Sequence, residues 1–145
     1  MPIDWTDETC QITPHFTVKD ALWLPTWNRL ANEADGLNDG IKNNLIDLYT
    51  NCMEPLRDLL GPIIVHVTYR PEAYNKLIGG APASAHMLGK ACDWHASVHS
   101  INEAKDLILL HDMLNKLNVR MESGTMSWIH IGNDYTPGHN RVFLP

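Results

Sequence analysis

The sequence has no basic stripe. Its 11 Lys and Arg residues are outnumbered by 17 Asp and Glu, for a formal net charge of −6. Nucleic-acid binders gather Lys and Arg on one face, so this balance argues against that class, although a local basic spot for an anionic substrate stays possible. Long apolar runs are missing too. The opening Met1-Pro-Ile-Asp-Trp-Thr-Asp-Glu has no basic stretch followed by an apolar core, so no signal peptide is expected. Nothing later is apolar enough to span a bilayer. Cysteine is scarce: Cys10, Cys52 and Cys92 are widely spaced and odd in number, with no C-x-x-C pair. A thiolate zinc site, a redox pair and a disulfide scaffold are all disfavoured. Repeats, low-complexity tracts and linkers are also lacking. These absences predict a monomeric protein made in a cytoplasm, with no membrane and no nucleic-acid partner.

What is present suits one domain over residues 1–145. Hydrophobic residues make up 44% of the chain, enough for one core. Residues 1–16 read as irregular. Thr17 with Asp20 forms a capping box for a short helix reaching Trp23. A long helix is expected from Asn38 to Leu60, because Ile41, Leu45, Leu48, Cys52, Leu56 and Leu59 recur at three- and four-residue spacing. Pro55 should kink it. Ile63–Thr68 reads as a strand, residues 70–85 as a short helix and a Gly/Pro/Ala loop, and Lys90–Ala96 as a second strand. Ser100 and Glu103 open a helix to about Leu117. Residues 118–122 and 127–132 read as strands joined at Ser123-Gly124-Thr125, with a short final strand near residues 141–144. The expected class is α+β: a small, mainly antiparallel sheet with helices packed against it.

The most informative stretch is Ser84-Ala-His-Met-Leu-Gly-Lys-Ala-Cys-Asp-Trp-His95. Strand alternation puts Ala91, Asp93 and His95 on one face and Cys92 and Trp94 on the other. A carboxylate amid apolar neighbours is costly unless it is paired or binds a cation. In Ser127-Trp-Ile-His-Ile-Gly132, Ile129 and Ile131 fit the core, leaving Trp128 and His130 on the opposite face. Two histidines and one carboxylate are a common set of ligands for catalytic zinc. Spacing alone leaves open the plainer reading of hydrogen-bonded or exposed histidines.

The order Ser84-x-His86-x-x-Gly89-x-x-x-Asp93, followed far downstream by Trp128-Ile-His130, resembles the zinc D-Ala-D-Ala carboxypeptidase and L-Ala-D-Glu endopeptidase family, whose fold is shared with the hedgehog domain. The short phage-type members are the nearer likeness, through Ile12-Thr-Pro-His-Phe-Thr-Val-Lys-Asp20, Tyr69-Arg70, Asn75 and Gly79-Gly80. The resemblance implies zinc held by His86, Asp93 and His130. It also implies Arg70 as the oxyanion-stabilising arginine and Ser84 as a substrate contact. Many members carry an acid three residues before the last histidine; here Ser127 stands there and cannot act as a base. Glu122 matches the glutamate that phage-type members place at the end of the preceding strand. Trp128 is expected to line the cleft, and His95 to face substrate or support the metal ligands. His66, His111, His15, His99 and His139 read as structural or exposed. The implied substrate is a peptidoglycan stem or cross-linking peptide, cut by an endolysin-like endopeptidase or a D,D-carboxypeptidase of phage origin. The alternative is a metal-binding virion or wall-binding module that has lost turnover.

Overall fold

The computed structural model describes residues 2–144. Near the amino terminus, β1 (Gln11–Thr13) and β2 (Phe16–Thr17) form a small antiparallel hairpin, where the sequence suggested irregular chain. Strands this short are below the length at which alternation can be read. Thr17 and Asp20 form the expected reciprocal capping box at the start of α1 (Val18–Leu22). The pair β3 (Trp23–Leu24) and β4 (Arg29–Leu30) follows.

The expected long helix is three consecutive helical segments. Asn38 caps α2 (Asp39–Leu48), a π-helical turn spans Tyr49–Met53, and α3 (Glu54–Leu60) completes it. Pro55 has no N–H to give to the Asn51 carbonyl, and its ring crowds the turn before it. The chain absorbs the mismatch in the wider turn, where the Glu54 N–H donates to the Tyr49 carbonyl five residues back. Leu45, Leu48, Cys52, Leu56 and Leu60 stay buried on one face throughout.

The main sheet has five strands in the order β5-β6-β8-β7-β9. They are β5 (Ile63–Val67), β6 (Ala91–Ala96), β7 (Arg120–Glu122), β8 (Ile129–Gly132) and β9 (Val142–Phe143). Helix α4 (Glu72–Leu77) lies between β5 and β6, and α5 (Ile101–Leu110) and α6 (Met113–Lys116) between β6 and β7. All pairings are antiparallel except β7 with β9. The helix expected to reach Leu117 breaks at Asp112, which adopts φ of 56°. Aspartate tolerates this left-handed conformation better than most residues, and no Gly or Pro marks the break. The class is α+β, as expected. Cys92, Trp94, Ile129 and Ile131 are fully buried or nearly so and pack toward the helices. The opposite sheet face is left for polar side chains.

Gly89 couples the two layers. It has φ of 71°, and a Cβ there would lie 3.0 Å from Leu45 Cγ and 3.1 Å from the Ile41 carbonyl oxygen. Gly89→Ala therefore combines left-handed strain with overlap. It should destabilise the protein by about 1–3 kcal/mol, read as a lower thermal midpoint; an unchanged midpoint would contradict this packing.

Candidate functional site

The site is built where a loop and two strands meet. β6 and β8 pair so that Asp93 stands directly opposite His130. Both project from the face away from the core, because their neighbours Cys92, Trp94, Ile129 and Ile131 turn inward. His86 comes from a single 3-10 turn, Ala85–Leu88, capped by Ser84 and closed by Gly89. His130 Nδ1 is 2.8 Å and His86 Nε2 3.2 Å from the same Asp93 oxygen, Oδ1. The potential ligand atoms of all three residues lie within 4.8 Å of one another. His86 is 1% exposed, while Asp93 and His130 open partly to solvent.

The His86 ring is fixed from behind. Its Nδ1 lies 2.7 Å from the Thr68 carbonyl oxygen, so Nδ1 carries the proton and donates it there. Thr68 is itself immobilised. Its hydroxyl donates to the Asp20 carbonyl at 3.1 Å, and the Tyr49 hydroxyl, 2.6 Å away, then donates to it. With Nδ1 committed, Nε2 keeps a lone pair and faces Asp93. Burial, first, pulls His86 below its ordinary pKa and favours the neutral ring. For Asp93, burial alone would raise the pKa. The two imidazoles beside it, His130 first, outweigh that burial and hold the carboxyl well below the usual range. A lone pair and a carboxylate 3.2 Å apart repel unless a proton or a cation lies between them.

A cleft of about 510 Å³ opens over these groups. Arg70, Ser84, Glu122 and Trp128 all line it, together with Arg120, Asp134 and Phe143. The Arg70 main-chain N–H donates to the His86 carbonyl at 3.0 Å, and its Nη2 donates to Ser84 Oγ at 3.0 Å. Ser84 Oγ also accepts from the His86 N–H at 3.2 Å, which leaves the serine proton free to donate. Burial lowers the Arg70 pKa, opposed by the charges of Asp93, Tyr74 and Glu122. The Gly79-Gly80 wall is clamped by buried Asn75. Its side-chain amide donates to the Ala81 carbonyl at 2.9 Å and lies where a Cβ on Gly80 would have to be. On β7, Arg120 pairs with Gly132 and Met121 with Ile131; carried one residue further, that register sets Glu122 opposite His130. β9 adds Phe143, whose ring is 5.8 Å from the His130 ring.

A family profile described as Peptidase M15 matches residues 26–132, well over half of the chain. The chain belongs to the Peptidase M15 family. Comparison with curated proteins and with solved structures returned no match. M15 peptidases are zinc-dependent, so this chain is a zinc metallopeptidase. The donors present fit that metal. Two imidazole nitrogens and one carboxylate oxygen converge at the edge of an open cleft, and the Thr68 carbonyl sets which His86 nitrogen is offered.

Of the residues singled out in the sequence, His86, Asp93, His130, Arg70, Ser84, Glu122 and Trp128 come together around this M15 cleft. His95 does not. It lies on the same face of β6 as Asp93, but its Nδ1 is 2.6 Å from Nε2 of His66 and it is not part of the cleft lining. Its partner His66, read in the sequence as structural or exposed, is brought beside it by the pairing of β5 with β6. Sequence reasoning missed Thr68, Arg120 and Phe143. Thr68 acts through its main chain, which carries no residue-type signal, and Phe143 arrives through a parallel pairing that no local pattern announces.

Asp93→Asn removes the charge while keeping the shape. It should leave the thermal midpoint of the metal-free protein within a few degrees, while bound zinc falls from about one per chain to near zero by elemental analysis. Zinc retained at full stoichiometry would contradict the Asp93 assignment.

Proposed function

We propose that this M15 peptidase hydrolyses peptide bonds in the stem or cross-linking peptides of bacterial peptidoglycan, as a monomeric, single-domain phage lysis enzyme or virion-associated protein. The observation that carries the reading is the convergence, in one open cleft, of a two-histidine, one-carboxylate metal set, a strand-end glutamate, and an arginine fixed by Ser84. No helix among the described residues is long and apolar enough to cross a membrane, which suits an enzyme that meets its substrate from solution.

In this reading His86, Asp93 and His130 hold the metal through Nε2, a carboxylate oxygen and Nδ1. Zinc, when bound, supplies Lewis acidity toward the substrate carbonyl and the attacking water. Glu122 takes the proton that the water loses and returns it to the leaving amine, so one carboxylate serves as base and then acid. Arg70 presents a guanidinium to the oxygen on which negative charge grows. Because Ser84 and the surrounding protein already orient it, little reorganisation is needed during the reaction. Ser84 has a hydroxyl proton left to give to a substrate carbonyl, and Trp128, at the rim of the cleft, offers an apolar surface to the peptide. Ser127 takes no part; Glu122 fills the role that an acid at that position would have.

Glu122→Gln should retain zinc and lower kcat by about 10²–10⁴, measured as fragments released from purified peptidoglycan by mass spectrometry. Equal turnover by wild type and variant would remove Glu122 from the mechanism. If wild type releases nothing from several wall chemotypes yet cuts other peptides, the wall-peptide assignment fails. Arg70→Ala should lower kcat by about 10²–10³ with a smaller change in KM. A change confined to KM would make Arg70 a ground-state binding group.

A further inference from the structure

Arg120 is held by one loose ion pair alone. Its side chain makes no hydrogen bond among the described residues, and its Nε is buried without an acceptor. The nearest acid is Asp134, whose Oδ2 is 3.7 Å from Nη1, beyond hydrogen-bond reach. Asp134 is itself constrained. It is packed over Gly132, where any Cβ would overlap its Oδ1, and that oxygen is likewise buried with no partner. The guanidinium sits over the Phe143 ring, its carbon 3.6 Å from the ring centroid, a distance at which the two planes stack. Stacking fixes the plane and leaves in-plane donors at the edge free for a planar acceptor, the geometry that suits a carboxylate. Arg120 also lines the same cleft as the metal set. It precedes Glu122 by two residues on β7, so the two side chains share a face about 6–7 Å apart. A group held by Arg120 would therefore lie within a residue or two of the bond being cut.

We propose that Arg120 binds a free carboxylate of the substrate next to the scissile bond, so that the enzyme favours wall peptides bearing that carboxylate over their amidated forms. The proposal rests on the wall-peptide reading above and narrows it. Such a carboxylate has two sources in stem peptides. One is the terminal carboxylate of a D-Ala-D-Ala end, which implies carboxypeptidase action; the other is the α-carboxylate of a γ-linked D-Glu, which implies an endopeptidase.

Two matched peptide pairs test it with the zinc-loaded enzyme: a pentapeptide stem ending in D-Ala-D-Ala as the acid or the amide, and an L-Ala-γ-D-Glu stem with its α-carboxylate free or amidated. In one pair the acid should be preferred by about tenfold to a hundredfold in kcat/KM, carried mostly by KM. That pair identifies the source. The preference should collapse toward unity in Arg120→Gln and be partly restored in Arg120→Lys, which also serves should the glutamine variant fold poorly. Calorimetric titration with the same four peptides reads the preference as Kd, independently of turnover. The proposal is overturned if wild type does not distinguish acid from amide in either pair, or if the glutamine variant keeps the wild-type preference. Binding that discriminates without hydrolysis would support the Arg120 assignment and sink the hydrolytic reading of these peptides. Hydrolysis without discrimination would do the reverse.

Discussion

A carboxylate held between two imidazoles on the polar face of a small sheet is the arrangement on which the rest of the site depends. Asp93 is largely shielded from water, and a shielded charge with no partner costs several kcal/mol. His130 reaches it by direct cross-strand pairing, and His86 by a one-turn helix that Gly89 terminates. The Thr68 carbonyl then decides the outcome. By taking the Nδ1 proton of His86, it turns Nε2 into an acceptor facing another acceptor, a configuration that a cation resolves.

The surrounding fold serves to hold this geometry stiff. Thr68 is tied through its hydroxyl to the Asp20 carbonyl and Tyr49, and the Tyr69 N–H donates to the Ala21 carbonyl. The segment that leads into Arg70 is thus anchored to the end of α1. Helices α2 and α3 cover the opposite face of the sheet with Leu45, Leu48, Leu56 and Leu60, and Gly89 packs against Leu45. Core packing and metal geometry meet at that glycine. Ser84 joins the Arg70 guanidinium to the His86 turn through two hydrogen bonds.

Much of this was legible in the sequence, and the reason is local. Strand alternation alone put Asp93 and His130 on faces opposite Cys92, Trp94, Ile129 and Ile131, and the capping residues Thr17, Asn38 and Ser100 mark helix starts where the structure has them. The resemblance then grouped residues as far apart as Arg70 and His130. Less visible were features set by main-chain groups or by long-range pairing. The π turn before Pro55 follows from a missing N–H whose consequence cannot be told from a simple kink in advance. The left-handed Asp112 has no sequence mark. The His66–His95 contact and the stacking of Phe143 under Arg120 exist only once β5 meets β6 and β9 meets β7.

The most direct test is to crystallise the zinc-loaded protein and collect anomalous diffraction on both sides of the zinc absorption edge. The account predicts one strong peak in the cleft, coordinated by His86 Nε2, an Asp93 oxygen and His130 Nδ1, with His86 Nδ1 still donating to the Thr68 carbonyl. A peak elsewhere, such as at the His66–His95 pair, with the cleft empty, or ligation through His86 Nδ1, would contradict it.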